Sequence, residues 1–380
     1  MEYSRREFGK LALVSVPAAS LIWAHKTAAQ TRKPDSMWAG VQVGMNVPYN
    51  FGGGSFMSGE EILQRCVQLG CGAVELRAQP VELFLGSPAA IAGAASAGRA
   101  RGAGGAAGAG RGAGVPADAA GGRRGAAASG PGAAPCVPGA GITAAAPEPA
   151  GGAPSGRGRA AATPEQQAAQ AAAAEETKKW RLGVSMDKVK EFRKKYEDAG
   201  VKIEIVKWDG IFDFSDDELD YAFQVSNALG ARALSSEITV GKTKRLGQFA
   251  DKHKMQVGYH GHTAVTPAIW EAAFAEAKYN AANLDLGHFV AGNNMSPVPF
   301  IKQYPDRITH VHVKDRKFCN GPNVPFGEGD TPIKEVLHLM RDNKWKFQAT
   351  IEFEYPVPAG SDRMAELAKS IEYCKQCLLA

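Results

Sequence analysis

Across its 380 residues the chain has no run of 18 or more apolar residues, so no membrane-spanning helix is expected. Cysteine is scarce, with six residues and a single CxxC (Cys374 and Cys377) in an apolar-periodic C-terminal segment. A thiolate zinc site needs four ligands, and no second CxxC completes one. An oxidising compartment would permit disulfides, but no spacing here demands one. A glycine-rich phosphate loop is also missing. Gly52-Gly53-Gly54 follows the first apolar run, but the spacing is wrong and no phosphate-binding lysine comes next, so a flexible active-site loop is expected. Nor is there a basic fold. The net charge is +5, yet seven arginines against Asp118 and Glu148 between Ile91 and Ala160 account for all of it. The rest of the chain is neutral, which argues against a nucleic-acid partner.

Two segments stand apart by composition. Ser4-Arg5-Arg6-Glu7-Phe8-Gly9-Lys10 resembles a twin-arginine export signal, with a moderately apolar run over Leu11 to Ala24 and small residues at Thr27-Ala28-Ala29. Residues 1–36 are therefore expected to be a signal peptide and tether, with a mature chain in the periplasm or secreted. A buried amphipathic helix is the alternative. Residues 89–176 are mostly Ala, Gly, Pro and Arg, and between Ile91 and Ala150 Ala and Gly fill 39 of 60 positions. With so little to bury, ordering this tract costs entropy without return, and a disordered surface insertion is expected. Helix-friendly residues return after Thr163, and structure is expected again by Glu176.

About 256 residues remain, near the size of one (β/α)8 barrel. Short apolar, β-branched runs alternate with amphipathic segments. The predicted strands are Gly40–Met45, Gly72–Leu76, Val201–Val206, Ala231–Glu237, Met255–Tyr259, Ala282–Leu286, Ile308–Val313 and Ala349–Phe353. Helix starts are marked by Ser58 with Glu61 and Ser215 with Glu218, both spaced as capping boxes, and by Pro267 at a first helical position. Gly200 and Gly230 sit where helices should end. Eight such repeats predict a single α/β domain, a TIM barrel over 37–88 and 177–380, with the insertion after strand two.

Chemistry in a parallel barrel sits at the C-terminal strand ends. There the chain places Glu237, then Tyr259-His260-Gly261-His262, Leu284-Asp285-Leu286-Gly287-His288, His310-Val311-His312-Val313-Lys314-Asp315 and Ile351-Glu352-Phe353-Glu354. Side chains alternate faces, so His260 with His262, His310 with His312 and Lys314, and Glu352 with Glu354 each share one. Charged groups in strands are costly unless paired or metal-bound. Four successive strand ends of this kind point to one divalent ion, Mn, Co, Zn or Mg, since mixed nitrogen and oxygen donors suit these better than thiophilic metals. Such an ion would polarise a carbonyl and hold an enediolate.

The motifs Asp-Leu-Gly-His (285–288), His-Val-Lys-Asp (312–315), His-Gly-His (260–262) and Glu-Phe-Glu (352–354) together resemble the xylose-isomerase-like TIM barrels, the sugar phosphate isomerase/epimerase superfamily that also includes inosose dehydratases and endonuclease IV. The resemblance implies metal ligands at His260, Asp285, His312 and Glu352, with Glu354 the competitor for the last place. It also exposes a departure, because the sugar epimerases usually carry Glu where this chain has His260. Glu237 could replace the missing carboxylate as fifth ligand or base, or merely cap its loop. His262, His288, Lys314 and Glu354 are further catalytic candidates, with Lys314 alternatively pairing with Asp315 and His310 placed deeper as a structural residue. Glu75 and Arg77 could bind substrate or pair with each other, Trp208 could stack on a sugar ring or serve the core, and Asn46 could reach the mouth. The expected activity is metal-dependent isomerisation or epimerisation of a carbohydrate or keto-sugar. The alternatives are a β-eliminating lyase on a keto-glycoside or inosose, a phosphodiesterase, and a non-catalytic carbohydrate-binding barrel. A homo-oligomer is compatible with the sequence.

Overall fold

The computed structural model describes residues 33–52, 56–103, 136–141 and 163–380. The twin-arginine segment and Gly53 and Gly54 of the glycine run lie outside the described residues. Eight parallel strands close a barrel: β1 (Val41–Val47), β2 (Ala73–Arg77), β3 (Lys202–Lys207), β4 (Ala233–Glu237), β5 (Gln256–His260), β6 (Asn280–Asp285), β7 (Ile308–Val313) and β8 (Gln348–Ile351). Closure is made by β1 against β8, with Val43, Gly44 and Met45 beside Ala349, Thr350 and Ile351. A two-residue strand, Met37–Trp38, folds back antiparallel onto β1. All eight predicted strands are present within two residues at either end, because helices cover the outer face and side chains fill the inside, so the strands read as near-continuous apolar runs.

Among the described residues twelve α-helices surround or extend the barrel: α1 (Gly59–Leu69), α2 (Ala78–Phe84), α3 (Pro88–Ala103), α4 (Pro164–Leu182), α5 (Met186–Asp198), α6 (Asp216–Ala228), α7 (Thr243–His253), α8 (Pro267–Glu276), α9 (Leu286–Asn293), α10 (Val298–Gln303), α11 (Ile333–Asp342) and α12 (Arg363–Leu379). Glu218 accepts from both the backbone N–H and the hydroxyl of Ser215, as the spacing suggested. At α1 only half of the motif forms: Ser58 Oγ accepts from the Glu61 N–H at 3.1 Å, but the Glu61 carboxylate turns to Arg65 at 2.8 Å. Gly200 and Gly230 adopt φ of 85° and 78°, the left-handed turn that ends a helix.

The expectation of disorder over 89–176 needs correction at both ends. α3 occupies 88–103 and α4 begins at Pro164, well before Glu176. Burial was the wrong criterion here, since alanine has the highest helix propensity and a reciprocal Thr163–Gln166 cap starts α4. Residues 104–135 and 142–162 of the tract lie outside the described residues. α3 and α4 pack on each other, and α4 meets the barrel helices through Trp180, whose ring lies against Tyr221 of α6, and through Arg181. The Arg181 guanidinium meets Glu82 of α2 and Glu218 of α6, each at 2.9 Å, and lies 4.2 Å over the Phe214 ring. Removing it would strand two mostly buried carboxylates. Arg181→Ala should therefore lower unfolding free energy by roughly 3 kcal/mol in chemical denaturation. A change no larger than that of an exposed ion pair would show that α4 is not anchored there.

Candidate metal centre

Strand register brings the polar residues together. Glu237 is the β4 neighbour of His260 on β5, and Asp285 on β6 is the neighbour of His312 on β7. Beyond the end of β8, the Glu352 N–H bonds to the Val313 carbonyl at 3.1 Å, which carries its carboxylate to the same place. His260, Asp285, His312 and Glu352 are all buried, and one ligand atom from each falls within a single cluster. His260 Nε2 lies 3.6 Å from Asp285 Oδ2 and 3.9 Å from Glu352 Oε2. His312 Nδ1 lies 3.7 and 3.0 Å from the same two oxygens.

These spacings fit one divalent ion, whose bonds of about 2.1 Å would separate neighbouring ligands by about 3.0 to 3.4 Å before adjustment. Two further observations agree. His260 Nε2 is buried without a hydrogen-bond partner, a costly state unless something else engages it. In addition, each imidazole has a carboxylate behind its other nitrogen. His260 Nδ1 is 2.9 Å from Glu237, and His312 Nε2 is 2.6 Å from Glu75. A proton held on those outer nitrogens leaves the inner lone pairs free for a metal, the usual carboxylate–histidine support of such ligands.

Lys314 balances the negative charge. Its ammonium is 3.1 Å from Asp285, 2.8 Å from Glu352 and 2.7 Å from Glu354. Burial would lower the Lys314 pKa, but these three carboxylates outweigh it and hold the group well above its ordinary value. Burial likewise pushes Asp285 and Glu352 up, while Lys314 more than reverses this and keeps both well below the usual carboxylate range. His312, opposed by burial, is raised by Glu352 and Glu75. His288 goes the other way, to about 3, through burial and the adjacent Lys314 charge, so it is neutral at pH 7. Its Nε2 faces Lys314 and its Nδ1 faces Arg316, each at 2.9 Å. Gly287 permits this packing, since a Cβ there would come within 2.9 Å of Lys314 Cγ and 3.0 Å of its carbonyl oxygen.

The other candidates separate. Glu354 lies just beyond Glu352, where Tyr49 donates to it at 2.7 Å. His262 is half-exposed at the mouth, its ring 4.8 Å from those of His260 and His288, with Glu237 behind Nε2 at 3.1 Å. Asn46 does reach the mouth and donates to Glu352 at 2.9 Å. His310 is deep and fully buried, 3.2 Å from Glu75.

Four expectations are corrected. Glu75 is not a rim residue for substrate, because it is fully buried beneath His312 and accepts from Ser235 at 2.6 Å. Arg77 does not pair with it but with Asp209, at 2.6 Å. Trp208 does not face a sugar: it is buried against Phe214 and Tyr221, and its indole N–H donates to Ser226 of α6. Lys314 leaves Asp315 to the loop N–H groups of Gly327, Gly329 and Thr331. Sequence reasoning missed Lys207, Tyr49 and Arg316. Lys207 ends β3 in the same way that Glu237 ends β4, a period-two signal that was available. Nothing local marks Tyr49 or Arg316.

Comparison with known proteins agrees with this geometry. The family profile described as Xylose isomerase-like TIM barrel matches residues 239–377. That stretch contains all four clustered ligand residues. An inosose dehydratase of Clostridium botulinum (strain Eklund 17B / Type B) is 27% identical over 156 residues, 35% of this chain and 51% of that protein. One from Clostridium tetani (strain Massachusetts / E88) is 24% identical over 154 residues, with the same coverage. The chain thus spans about half the length of the curated relatives it matches. The structure of a probable 3-DHS dehydratase from Bacillus anthracis superposes with a TM-score of 0.50 at 11% identity, over 87% of this chain and 98% of the other, which shows a shared fold.

Titration of the chelated protein with Mn, Co or Zn should find about one equivalent bound, and Asp285→Asn should abolish it. Glu75→Gln should keep the stoichiometry but weaken binding about 10- to 100-fold, because the His312 tautomer is no longer set. Unchanged affinity in Glu75→Gln would contradict the supporting role of that carboxylate.

Proposed function

We propose that this chain is a divalent-metal-dependent lyase for a free keto-sugar or keto-cyclitol, removing a proton beside the carbonyl and expelling the β-hydroxyl as water. The observation that carries this reading is the asymmetry of the mouth. On the β8 side stands a carboxylate, Glu354, and on the β5 side an imidazole, His262, backed by Glu237. An elimination needs one base and one acid of that kind, whereas a two-base epimerisation needs a carboxylate on each face. Glu237 is badly placed for the second carboxylate. Lys207 takes one of its oxygens at 2.6 Å, and His260 and His262 share the other. Burial would raise its pKa, but Lys207 and His260 hold it well below the usual range, and its place behind the His260 and His262 rings makes it a buttress of those imidazoles. The similarity to inosose dehydratases supports the same choice over isomerisation.

In this scheme Glu354 takes the α-proton. Burial raises its pKa, but Lys314 prevails and keeps it ionised. His262 gives its proton to the departing hydroxyl, a carbon–carbon double bond forms between the α and β positions, and water leaves. Proton return from Glu354 through solvent restores both groups. Lys314 and neutral His288 order the substrate oxygens nearby. A divalent ion held by His260, Asp285, His312 and Glu352 would supply Lewis-acid polarisation of the carbonyl. The twin-arginine-like leader makes export to the periplasm, or beyond it, part of the same proposal.

The test is to incubate metal-loaded protein with keto-inositols and free keto-hexoses in D2O, following ultraviolet absorbance and NMR. Water loss with a conjugated enone is the expected result, and Glu354→Gln should lower kcat by about 100-fold or more. Deuterium incorporation with new epimers and no water loss would instead establish an isomerase. Tight sugar binding without exchange or turnover would favour the binding barrel.

A further inference from the structure

We infer that the Cys136–Cys319 disulfide is a positioning element of the catalytic mouth, using residues 136–141 of the inserted tract to clamp the helix bearing His288 to the loop bearing Arg316. The inference rests on the reading of that mouth as the reactive site. Cys319 lies in the loop after β7, three residues beyond Arg316, and is bonded to Cys136 with a Cα–Cα distance of 5.8 Å. The same short segment grips the far end of α9. The Gly141 N–H donates to the Asn294 carbonyl at 3.1 Å, and the Asn294 side chain donates to the Val137 carbonyl. From the loop side, the Asn320 N–H reaches the Ala291 carbonyl of α9 at 2.8 Å. The segment therefore ties together two elements that meet again at the mouth, since α9 carries His288 in its first turn.

The loop is shaped to aim one guanidinium. Arg316 donates to the Gly321 carbonyl through Nε at 3.0 Å and Nη2 at 2.7 Å, leaving Nη1 against His288 Nδ1 at 2.9 Å. That Gly321 carbonyl is presented by two successive non-glycine residues in the left-handed region, Cys319 at φ 59° and Asn320 at φ 53°. Such backbone persists only where its surroundings over-determine it, and a covalent tie at Cys319 does so. Cys66, Cys71, Cys374 and Cys377 are buried thiols in the core, away from this work. Forming the bond joins two sulfurs and passes two protons and two electrons to a thiol–disulfide oxidant, itself cleaved to two thiols. A dithiol reverses the reaction. Reduction should release the loop, let Arg316 turn from His288 and loosen substrate binding without dismantling the barrel.

Non-reducing peptide mapping of the full chain should find Cys136 joined to Cys319 and the other four cysteines as thiols that react only on unfolding. Imidazole nitrogen NMR of the metal-free protein then reads the positioning itself. Reduction with a dithiol, or Cys136→Ser, should shift and broaden the His288 signals. His253, stacked on Phe223, and His338, bonded to the Cys377 carbonyl, should stay unchanged. Oxidised glutathione should restore the wild-type spectrum but not that of Cys136→Ser. With a turned-over substrate, reduction should raise KM about tenfold or more with a smaller change in kcat. Six free thiols in the native protein would overturn the inference. So would His288 signals indifferent to reduction, or all three histidines moving together, which would mean general loosening. The NMR arms hold even if the lyase reading fails, because they need no substrate.

Discussion

Like charges crowd the mouth of this barrel, and the rest of the site depends on how they are neutralised. Glu75, Asp285 and Glu352 are buried and ionised, with Glu354 close beside them, inside a water-poor interior where an uncompensated carboxylate is expensive. Lys314 and the two imidazoles of His312 and His260 make the arrangement tolerable. Lys314 touches three of the carboxylates with one ammonium, and His312 stands between Glu75 below and Glu352 above. A divalent cation fits the same logic, since it would bring more positive charge to the oxygens than one ammonium can.

The barrel earns this site by register. Neighbouring strands set Glu237 beside His260 and Asp285 beside His312, and the interior layer beneath contributes Glu75 and His310. None of the four candidate ligands sits alone on a loop. His260, Asp285 and His312 are at or near strand ends whose backbones are locked in the sheet, and Glu352 follows within one residue of β8. The loop after β7 is the exception in shape but not in restraint, for it is held by Asp315, by Arg316 and by the disulfide to the inserted tract.

Much of this was legible in the sequence. The eight strands follow from buried apolar runs. Alternation shows which polar residues share a face, and the resemblance carried by the motifs at 260–262, 285–288, 312–315 and 352–354 singles out the four clustered residues. Partnerships across the barrel were not legible. Glu75 and His312 are 237 residues apart, and only closure of the barrel reveals that one supports the other. Trp208 misled for a related reason: its place after a strand suggested the mouth, while its side chain turns to α6. The alanine-rich tract was judged by what it could bury, and so α3 was missed and α4, whose helix-friendly start after Thr163 was noted, was counted as structure only from about Glu176. Its tie to the mouth through Cys136 has no sequence signal beyond an unpaired-looking cysteine in a tract of small residues.

The central claim is that His260, Asp285, His312 and Glu352 together hold one divalent ion. X-ray absorption spectroscopy on the protein loaded with a single equivalent of Co or Zn tests it most directly. The account predicts a first shell of nitrogen and oxygen only, with outer-shell scattering from two imidazoles, and loss of one imidazole in His260→Ala. A sulfur scatterer, or a spectrum of two imidazoles unchanged in His260→Ala, would contradict it.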